Sequence, residues 1–372
     1  MRNWIQQLAG GLLAVVLLSG AASAAAENTA ILNVSYDVTR EFYKEFNVAF
    51  AAYWKDKTSN SVTINQSHGG SSKQAQSVVN GLEADVVTMN QPTDVDVLFF
   101  SARLIPQNWA SRLPNHSVPY NSTIVFVVRR DNPKNIHAWE DLIQPGISVI
   151  LPNPKTSGNG RYSYLAAWGH ALKKSAGLRR AEADKQSDDD RQRDLNLSGS
   201  STSYGPAKAG DEQPAREFVG KLLANVPVLD TGGRGATTTF AERGIGDVLL
   251  TFENEAATVQ KNFADDGLEV VVPPDSILAE NPVAWVDRYV QKHHTEAVSR
   301  AYLEFLYSDA GQELAAKYYF RPKSQAALDK FPDRFKPLDL FTVNEIAGGW
   351  DKAQKTHFAD GGIFDQIYLN NK

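Results

Sequence analysis

The chain has 372 residues, of which 42% are hydrophobic and 22% charged, and its formal net charge is −5. A chain of this length divides into more than one compact unit, because single hydrophobic cores stop growing near about 250–300 residues. The acidic balance argues against a nucleic-acid binder, which needs a clustered positive surface. The chain contains no cysteine, which excludes disulfides, thiol catalysis and sulfur-ligated metal sites.

Residues 1–24 are predicted to form a signal peptide. Arg2 precedes an apolar run at 8–18 that is too short to span a bilayer. Ala22-Ser23-Ala24 has the A-x-A pattern of a secretory cleavage site. A membrane anchor is the alternative, but no following segment continues the apolar run. We expect cleavage near Ala24 and a periplasmic protein, since a large exported chain without disulfides is typical of that compartment.

Strands and helices alternate along the rest of the chain. Short apolar, β-branched runs predict strands at 31–36, 62–64, 84–89, 123–128, 149–151, 226–229, 248–252 and 268–272. Apolar residues at helical spacing predict helices between them and a mainly helical region from about 298 onward. This order favours an α/β fold with helices on both faces of open sheets. Residues 179–211 lack apolar periodicity, which predicts a flexible insert.

Three glycine-rich turns carry the candidate chemistry: 67–74 (SHGGSSKQ), 155–161 (KTSGNGR) and 230–237 (DTGGRGAT). Each turn follows a predicted strand and opens a predicted helix, where backbone N–H groups lack intrahelical partners at the positive end of the helix dipole. Glycine lets the backbone approach an anion closely, and Ser or Thr adds a hydroxyl donor. An ordinary strand-to-helix connection is the alternative for any one turn. Together the three turns favour donor clusters that converge on a small oxyanion.

The turns do not match known nucleotide or catalytic motifs. They lack the Walker pattern Gly-x4-Gly-Lys-Ser/Thr and the dinucleotide pattern Gly-x-Gly-x-x-Gly. His68-Gly69-Gly70 is similar to the oxyanion-hole loop of esterases, but no Gly-x-Ser-x-Gly elbow supplies a nucleophile. The seven histidines have no spacing typical of a metal site. We therefore predict no catalytic residue, no metal and no cofactor.

Longer motifs identify a family. Residues 32–37 (LNVSYD), 67–74, 152–159 (PNPKTSGN), 164–169 (YLAAWG) and 232–249 resemble the periplasmic sulfate/thiosulfate-binding proteins, the solute receptors of sulfur-uptake ABC transporters. The resemblance covers about 32–362, apart from 179–211. It implies an α/β fold of the two-lobed periplasmic binding protein type (type II), with a ligand cleft between the lobes and two hinge crossings. The implied boundaries are 27–119 plus 273–345 for lobe 1, 120–272 for lobe 2 and 346–372 for a C-terminal extension, with crossings near 120–125 and 272–283.

The resemblance also implies the ligand-binding residues. The family holds a dehydrated oxyanion with uncharged donors, mostly backbone N–H groups at helix N-termini. Matching positions in or next to the site are Ser71, Ser157, Gly158, Asn159, Gly233, Arg234, Asp37 and Phe252. Donors alone suit fully ionised sulfate or thiosulfate and disfavour protonated phosphate, whose O–H needs an acceptor.

Two departures favour the thiosulfate-binding branch of the family. Phe252 stands where sulfate-preferring members have a donating Trp, and Ser72 stands where they have Gly, while Asn159 and residues 230–243 resemble the thiosulfate branch. An apolar ring costs less opposite a soft terminal sulfur than opposite a hydrated oxygen. The alternative is that Phe252 is simply a core aromatic. The implied partners are the thiosulfate or sulfate ligand and a membrane permease, bound by a monomer. The remaining alternatives are a molybdate or phosphate receptor and an ester hydrolase.

Overall fold

The computed structural model describes residues 28–191 and 212–370. The predicted signal peptide at 1–24 and residues 192–211 of the predicted insert lie outside the described residues. The first part of that insert differs from the expected flexible loop, since one helix extends from Gly158 to Arg191. Eight of the thirteen residues at 179–191 are Arg, Ala, Glu, Lys or Gln, which favour a helix without any apolar stripe, although four are Asp, which favours a helix less. Within the described residues, no helix is both long and apolar enough to cross a membrane.

The secondary structure alternates as the sequence predicts. The strands are β1 (Asn28–Tyr36), β2 (Ser61–Gly69), β3 (Val86–Thr88), β4 (Tyr120–Ser122), β5 (Ile124–Val128), β6 (Val149–Pro152), β7 (Leu229–Asp230), β8 (Val248–Phe252), β9 (Glu269–Val271), β10 (Asp275–Ile277), β11 (Ala279–Glu280), β12 (Val283–Trp285), β13 (Arg321–Pro322) and β14 (Asp339–Phe341). The helices are α1 (Arg40–Thr58), α2 (Ser71–Val79), α3 (Pro92–Ala102), α4 (Pro114–Ser117), α5 (Gly158–Arg191), α6 (Gln213–Ala224), α7 (Gly233–Thr237), α8 (Glu253–Asn262), α9 (Asp287–His293), α10 (Glu296–Phe305), α11 (Asp309–Lys317), α12 (Gln325–Asp329), α13 (Val343–Ala347), α14 (Trp350–Ala353) and α15 (Ile363–Asn370).

A four-stranded sheet of order β12-β3-β1-β2 is the centre of the first unit. Strand β1 is parallel to β2 and β3, whereas β12 returns from late in the chain and pairs antiparallel with β3. Helix α1 buries Phe42, Phe46 and Phe50 in the core of this unit. Because the parallel strands end at one edge of the sheet, β1 and β2 deliver their following residues to the same place.

A five-stranded sheet of order β7-β6-β8-β5-β9 is the centre of the second unit. Strand β6 is parallel to β7 and β8, and β5 is antiparallel to β8 and β9. Every residue of β5 and β8 is buried, which matches their nearly continuous apolar sequences. The carboxyl ends of β6, β7 and β8 therefore share one edge of this sheet.

The chain passes between the units on paired strands. Strands β4 and β11 lie antiparallel, with Asn121 opposite Glu280 and Ser122 opposite Ala279. The C-terminal segment then returns to the second unit, where α15 packs on α6 and α13 on α5. Tyr164 and the buried His357 hydrogen-bond side chain to side chain at 3.0 Å. The C-terminal segment is thus part of the second unit's packing.

Candidate functional site

The three glycine-rich turns meet between the two units. A Cβ built on Gly70 would lie 3.3 Å from the carbonyl oxygen of Thr156 and 3.7 Å from that of Thr231. Thr156 Oγ1 donates to the Thr231 carbonyl at 3.1 Å, which joins the second and third turns. A Cβ built on Gly232 would lie 3.0 Å from Asp37 Oδ2, just after β1. The structure therefore brings together the turns that the sequence singles out.

Most of the predicted donors are the first residues of helices. Ser71 begins α2, Gly158 begins α5 and Gly233 begins α7. Amides in the first turn of a helix have no intrahelical acceptor, and the helix dipole is positive there. A Cβ built on Gly233 would lie 2.9 Å from Asn159 Nδ2, so the second and third donor groups are in contact. Such a set of amides is suited to an anion.

The side chains of the second turn are held within the second unit. Asn159 Nδ2 donates to Thr251 Oγ1 at 3.0 Å, and Ser163 Oγ donates to Asn159 Oδ1 at 3.3 Å. Ser157 is buried, and its Oγ accepts the Gly160 N–H at 3.4 Å. A hydroxyl that accepts one hydrogen bond can still donate its own proton. The Ser157 hydroxyl is thus able to donate to a ligand, while the Asn159 side chain supports the turn.

Asn90 connects the first and second turns, and it is not among the residues predicted from the sequence. Its backbone N–H donates to Ser71 Oγ at 3.3 Å. A Cβ built on Gly158 would overlap the Asn90 side chain, with Cγ at 2.7 Å. Only glycine therefore fits at position 158. Asn90 follows the parallel strand β3 closely, and that position at a strand's carboxyl end is the signal that could have found it.

Arg234 is surrounded by carboxylates rather than left as a free cation. Its backbone N–H donates to Asp37 Oδ2 at 3.2 Å. Its Nη2 lies 3.1 Å from Glu41 Oε2 and 3.5 Å from Glu255 Oε2. Burial raises the pKa of Asp37, and burial raises the pKa of Glu255 to about 7 against the opposing effect of the guanidinium. The positive charge of the Arg234 guanidinium is balanced by these carboxylates. An anion bound nearby therefore depends on uncharged donors for its hydrogen bonds.

A second arginine, Arg161, connects the two units through the first turns of α2 and α5. Arg161 Nη1 in α5 donates to Ser72 Oγ in α2 at 3.0 Å. Ser72 Oγ donates in turn to Asp94 Oδ1 at 2.8 Å, and Arg161 Nη1 lies 3.8 Å from the same carboxylate oxygen. Arg161 and Asp94 are both buried. These contacts hold the first and second units together over the turns.

Lys155 belongs to the second turn but its charge points to the C-terminal segment. Its Nζ donates to the carbonyl oxygens of Phe358 and Ala359 at 3.1 and 3.2 Å. It also donates to Asp360 Oδ1 at 3.1 Å and Asp365 Oδ2 at 3.0 Å. Because four oxygens surround it, this ammonium group has a structural role: it fixes the second turn to the C-terminal segment.

Phe252 ends β8 at the same edge of the second sheet. It is fully buried and makes edge contacts with Tyr36 and Tyr162, with ring centroids 6.2 and 5.7 Å away. Its neighbour Thr251 is the residue that accepts from Asn159. The ring therefore packs between the two units, beside the residues that support the donor turns.

The meeting point of the turns offers hydrogen-bond donors and balanced charges. In residues 28–191 and 212–370, no group of three or more His, Asp or Glu side chains is placed to hold a metal ion. Backbone amides at helix starts and the Ser157 hydroxyl are donors, and the two arginines are already paired. The arrangement is suited to holding a small anion between two units.

Two α/β units joined by paired strands, with helix N-termini meeting between them, define a two-lobed solute-binding protein. The sequence model described as "bacterial extracellular solute-binding protein" matches residues 32–321, and the chain belongs to this family. The chain is 51% identical to the thiosulfate-binding protein of Pseudomonas aeruginosa, covering 97% of this chain and 98% of the relative. It is 50% identical to the sulfate-binding protein of Salmonella typhimurium, covering 94% and 96%. The solved sulfate-binding protein SubI from Mycobacterium tuberculosis has a TM-score of 0.71 and 29% identity, covering 88% of this chain and 99% of that chain. The α/β two-lobed fold and the family predicted from the sequence are confirmed.

Proposed function

We propose that this chain is a periplasmic receptor that binds thiosulfate and sulfate and delivers them to the membrane permease of an ABC importer. The observation that carries the proposal is the convergence of three helix starts, at Ser71, Gly158 and Gly233, between the units. The names of its relatives, thiosulfate-binding and sulfate-binding proteins, support the same ligands. In this role the chain acts as a monomer and performs no catalysis.

The proposed ligand cage consists of donors without net charge. The amides of Ser71, Gly158, Asn159 and Gly233 and the hydroxyl of Ser157 point the positive ends of their dipoles at the anion. Hydrogen bonds to a charged group contribute about 1.5–3 kcal/mol each, so several of them support a binding free energy of about −8 kcal/mol, which is micromolar affinity. A fully ionised dianion satisfies every donor. Hydrogen phosphate brings an O–H that this cage leaves without an acceptor.

The two units form the two lobes in this proposal. Lobe 1 comprises 27–119 and 273–345, lobe 2 comprises 120–272, and 346–372 form the C-terminal extension. Helix α13, which spans the end of lobe 1 and the start of the extension, packs on α5 of lobe 2. The paired strands β4 and β11 are the hinge, because they are the point where two passages of the chain cross side by side. An anion that bonds to both lobes stabilises the closed arrangement, which the permease then recognises.

Thiosulfate is the preferred ligand in this proposal, with sulfate as the second. Phe252 is an apolar ring beside the donor turns, packed against Tyr36 of lobe 1. A ring that has no N–H donor is better matched to the weakly hydrated terminal sulfur of thiosulfate than to a fourth sulfate oxygen. The preference depends on the ring facing the ligand, which a Trp substitution tests.

Calorimetric titration with thiosulfate, sulfate, molybdate and phosphate tests the proposal. We expect both sulfur anions to bind at micromolar concentrations or below, and phosphate to give no heat of binding. Tighter binding of molybdate or phosphate would favour the alternative receptor, and turnover of a chromogenic sulfate or phosphate ester would favour a hydrolase. Absence of binding by either sulfur anion would overturn the assignment.

A further inference from the structure

Asn90 is a buried amide in contact with donors from both lobes. It is 3% exposed, and in the described part of the chain its Oδ1 has no hydrogen-bond donor. Its backbone N–H is bonded to Ser71 Oγ of lobe 1. Its side chain lies directly against Gly158 of lobe 2. A buried amide oxygen that lacks a donor is destabilising, so the orientation of this amide calls for an explanation.

The two ends of the amide are almost interchangeable in this place. A Cβ built on Gly158 would overlap Asn90 Oδ1 and would lie 2.8 Å from Asn90 Nδ2. A half-turn about the Cβ–Cγ bond exchanges the oxygen and the NH2 group without moving any other atom of the side chain. The NH2 group then occupies the position beside Gly158, one of the proposed anion donors. A dianion offers only acceptors, so its presence favours this second orientation.

We propose that Asn90 is a further anion-contacting residue, whose NH2 group donates to the bound oxyanion in the closed cleft and selects for fully ionised oxyanions. The inference rests on the proposed function and extends it. Asn90 touches donor groups of the first and second turns at once. A donor in this place lies where residues of both lobes meet, so it adds a bond to a ligand held between them. Its contribution therefore falls on affinity and on ligand choice.

Asn90→Asp is the sharpest test, because it keeps the shape of the side chain and replaces the donors with acceptors. The new carboxylate repels a dianion, and we expect thiosulfate and sulfate affinity to fall at least a hundredfold, about 2.7 kcal/mol. A carboxylate can accept the O–H of hydrogen phosphate. The phosphate-to-sulfate affinity ratio is therefore expected to rise. Asn90→Ala, which only removes the donor, should weaken both sulfur anions about tenfold.

The matched control is Asn60→Asp, which adds the same charge at an exposed position of the same lobe. Calorimetry gives the affinities, and thermal melts without ligand report folding. If Asn90→Asp does not fold, Asn90→Ala decides the question. Sulfur-anion affinities within threefold of wild type would overturn the inference while leaving the proposed function intact. An equal loss for all anions, with a lowered melting temperature, would also overturn it, since that is the signature of a purely structural residue. Failure of the wild-type chain to bind either sulfur anion would instead overturn the proposed function.

Discussion

Removing the Ser72 hydroxyl should weaken anion binding by loosening closure of the cleft. Ser72 Oγ in lobe 1 accepts from Arg161 Nη1 in lobe 2 at 3.0 Å. Its other bond, to Asp94 at 2.8 Å, lies within lobe 1 and persists when the lobes separate. Ser72→Ala therefore removes one hydrogen bond between the lobes, and that bond exists only in the closed arrangement.

The size of the effect follows from the charge on the donor. A hydrogen bond to a charged group contributes about 1.5–3 kcal/mol. Arg161 keeps its bond to the Pro154 carbonyl at 3.0 Å and its position near Asp94, so the guanidinium is not left wholly without partners. If the open arrangement predominates without ligand, the whole loss appears in affinity. We expect thiosulfate and sulfate to bind about 10–100-fold more weakly.

Calorimetric titration of the variant with both sulfur anions measures this loss. Ser77→Ala is the matched control, because Ser77 lies on the same helix and, among the described residues, its hydroxyl bonds only to the Lys73 carbonyl. The melting temperature without ligand should be nearly the same for both variants and wild type. If Ser72→Ala binds as tightly as Ser77→Ala, the bond between Ser72 and Arg161 does not stabilise the closed cleft and the reasoning is refuted.

Three further predictions address the turns, the aromatic ring and the buried acid. Gly158→Ala places a methyl group on the Asn90 side chain and should reduce anion affinity at least about a hundredfold in calorimetry. Gly177→Ala on the same helix, where a Cβ meets no described atom outside the helix backbone within 4 Å, should have no effect. Phe252→Trp adds an N–H donor and should improve sulfate binding relative to thiosulfate; an unchanged ratio would mean that the ring does not face the ligand. Burial raises the pKa of Glu255 from 4.5 to about 7, so its ionisation destabilises the folded chain as the pH rises through that range. Glu255→Gln should therefore gain melting temperature relative to wild type between about pH 5 and pH 8, and a difference that is constant with pH would contradict the buried ionisation.

The second sheet could largely be predicted from sequence because its central strands β5 and β8 are nearly continuous apolar runs. Strand β8 has the predicted limits, and β5 begins one residue after its predicted start. Strand β12 was missed, since Val283–Trp285 contains too few residues to establish a period. Its place at the edge of the first sheet depends on antiparallel pairing with β3, about two hundred residues earlier. Long-range pairing of this kind leaves no local pattern.

The donor turns could also be predicted, but the carboxylate partners of Arg234 in the third turn could not. Strand, glycine-rich turn and helix follow one another in the sequence, so the position of Ser71 at a helix start is a local property. The glutamates that surround Arg234 come from α1 and α8, and no local pattern pairs them. Asn90 was missed because its one sequence signal, a position just after β3, does not distinguish it from other residues that follow strands. Its significance comes from contact with Gly158 across the cleft.

Because Lys155 bonds to the C-terminal segment, the support of the second turn depends on residues that are synthesised late. Ribosomes build the chain from its N-terminus, so the second turn exists long before residues 358–365 supply the four oxygens that brace it. The central sheets of both lobes are complete by residue 285, yet one wall of the cleft lacks this support until residues 358–365 have been added. A chain truncated before residue 358 lacks all four of these oxygens, so we expect it to bind the anion more weakly than the full chain.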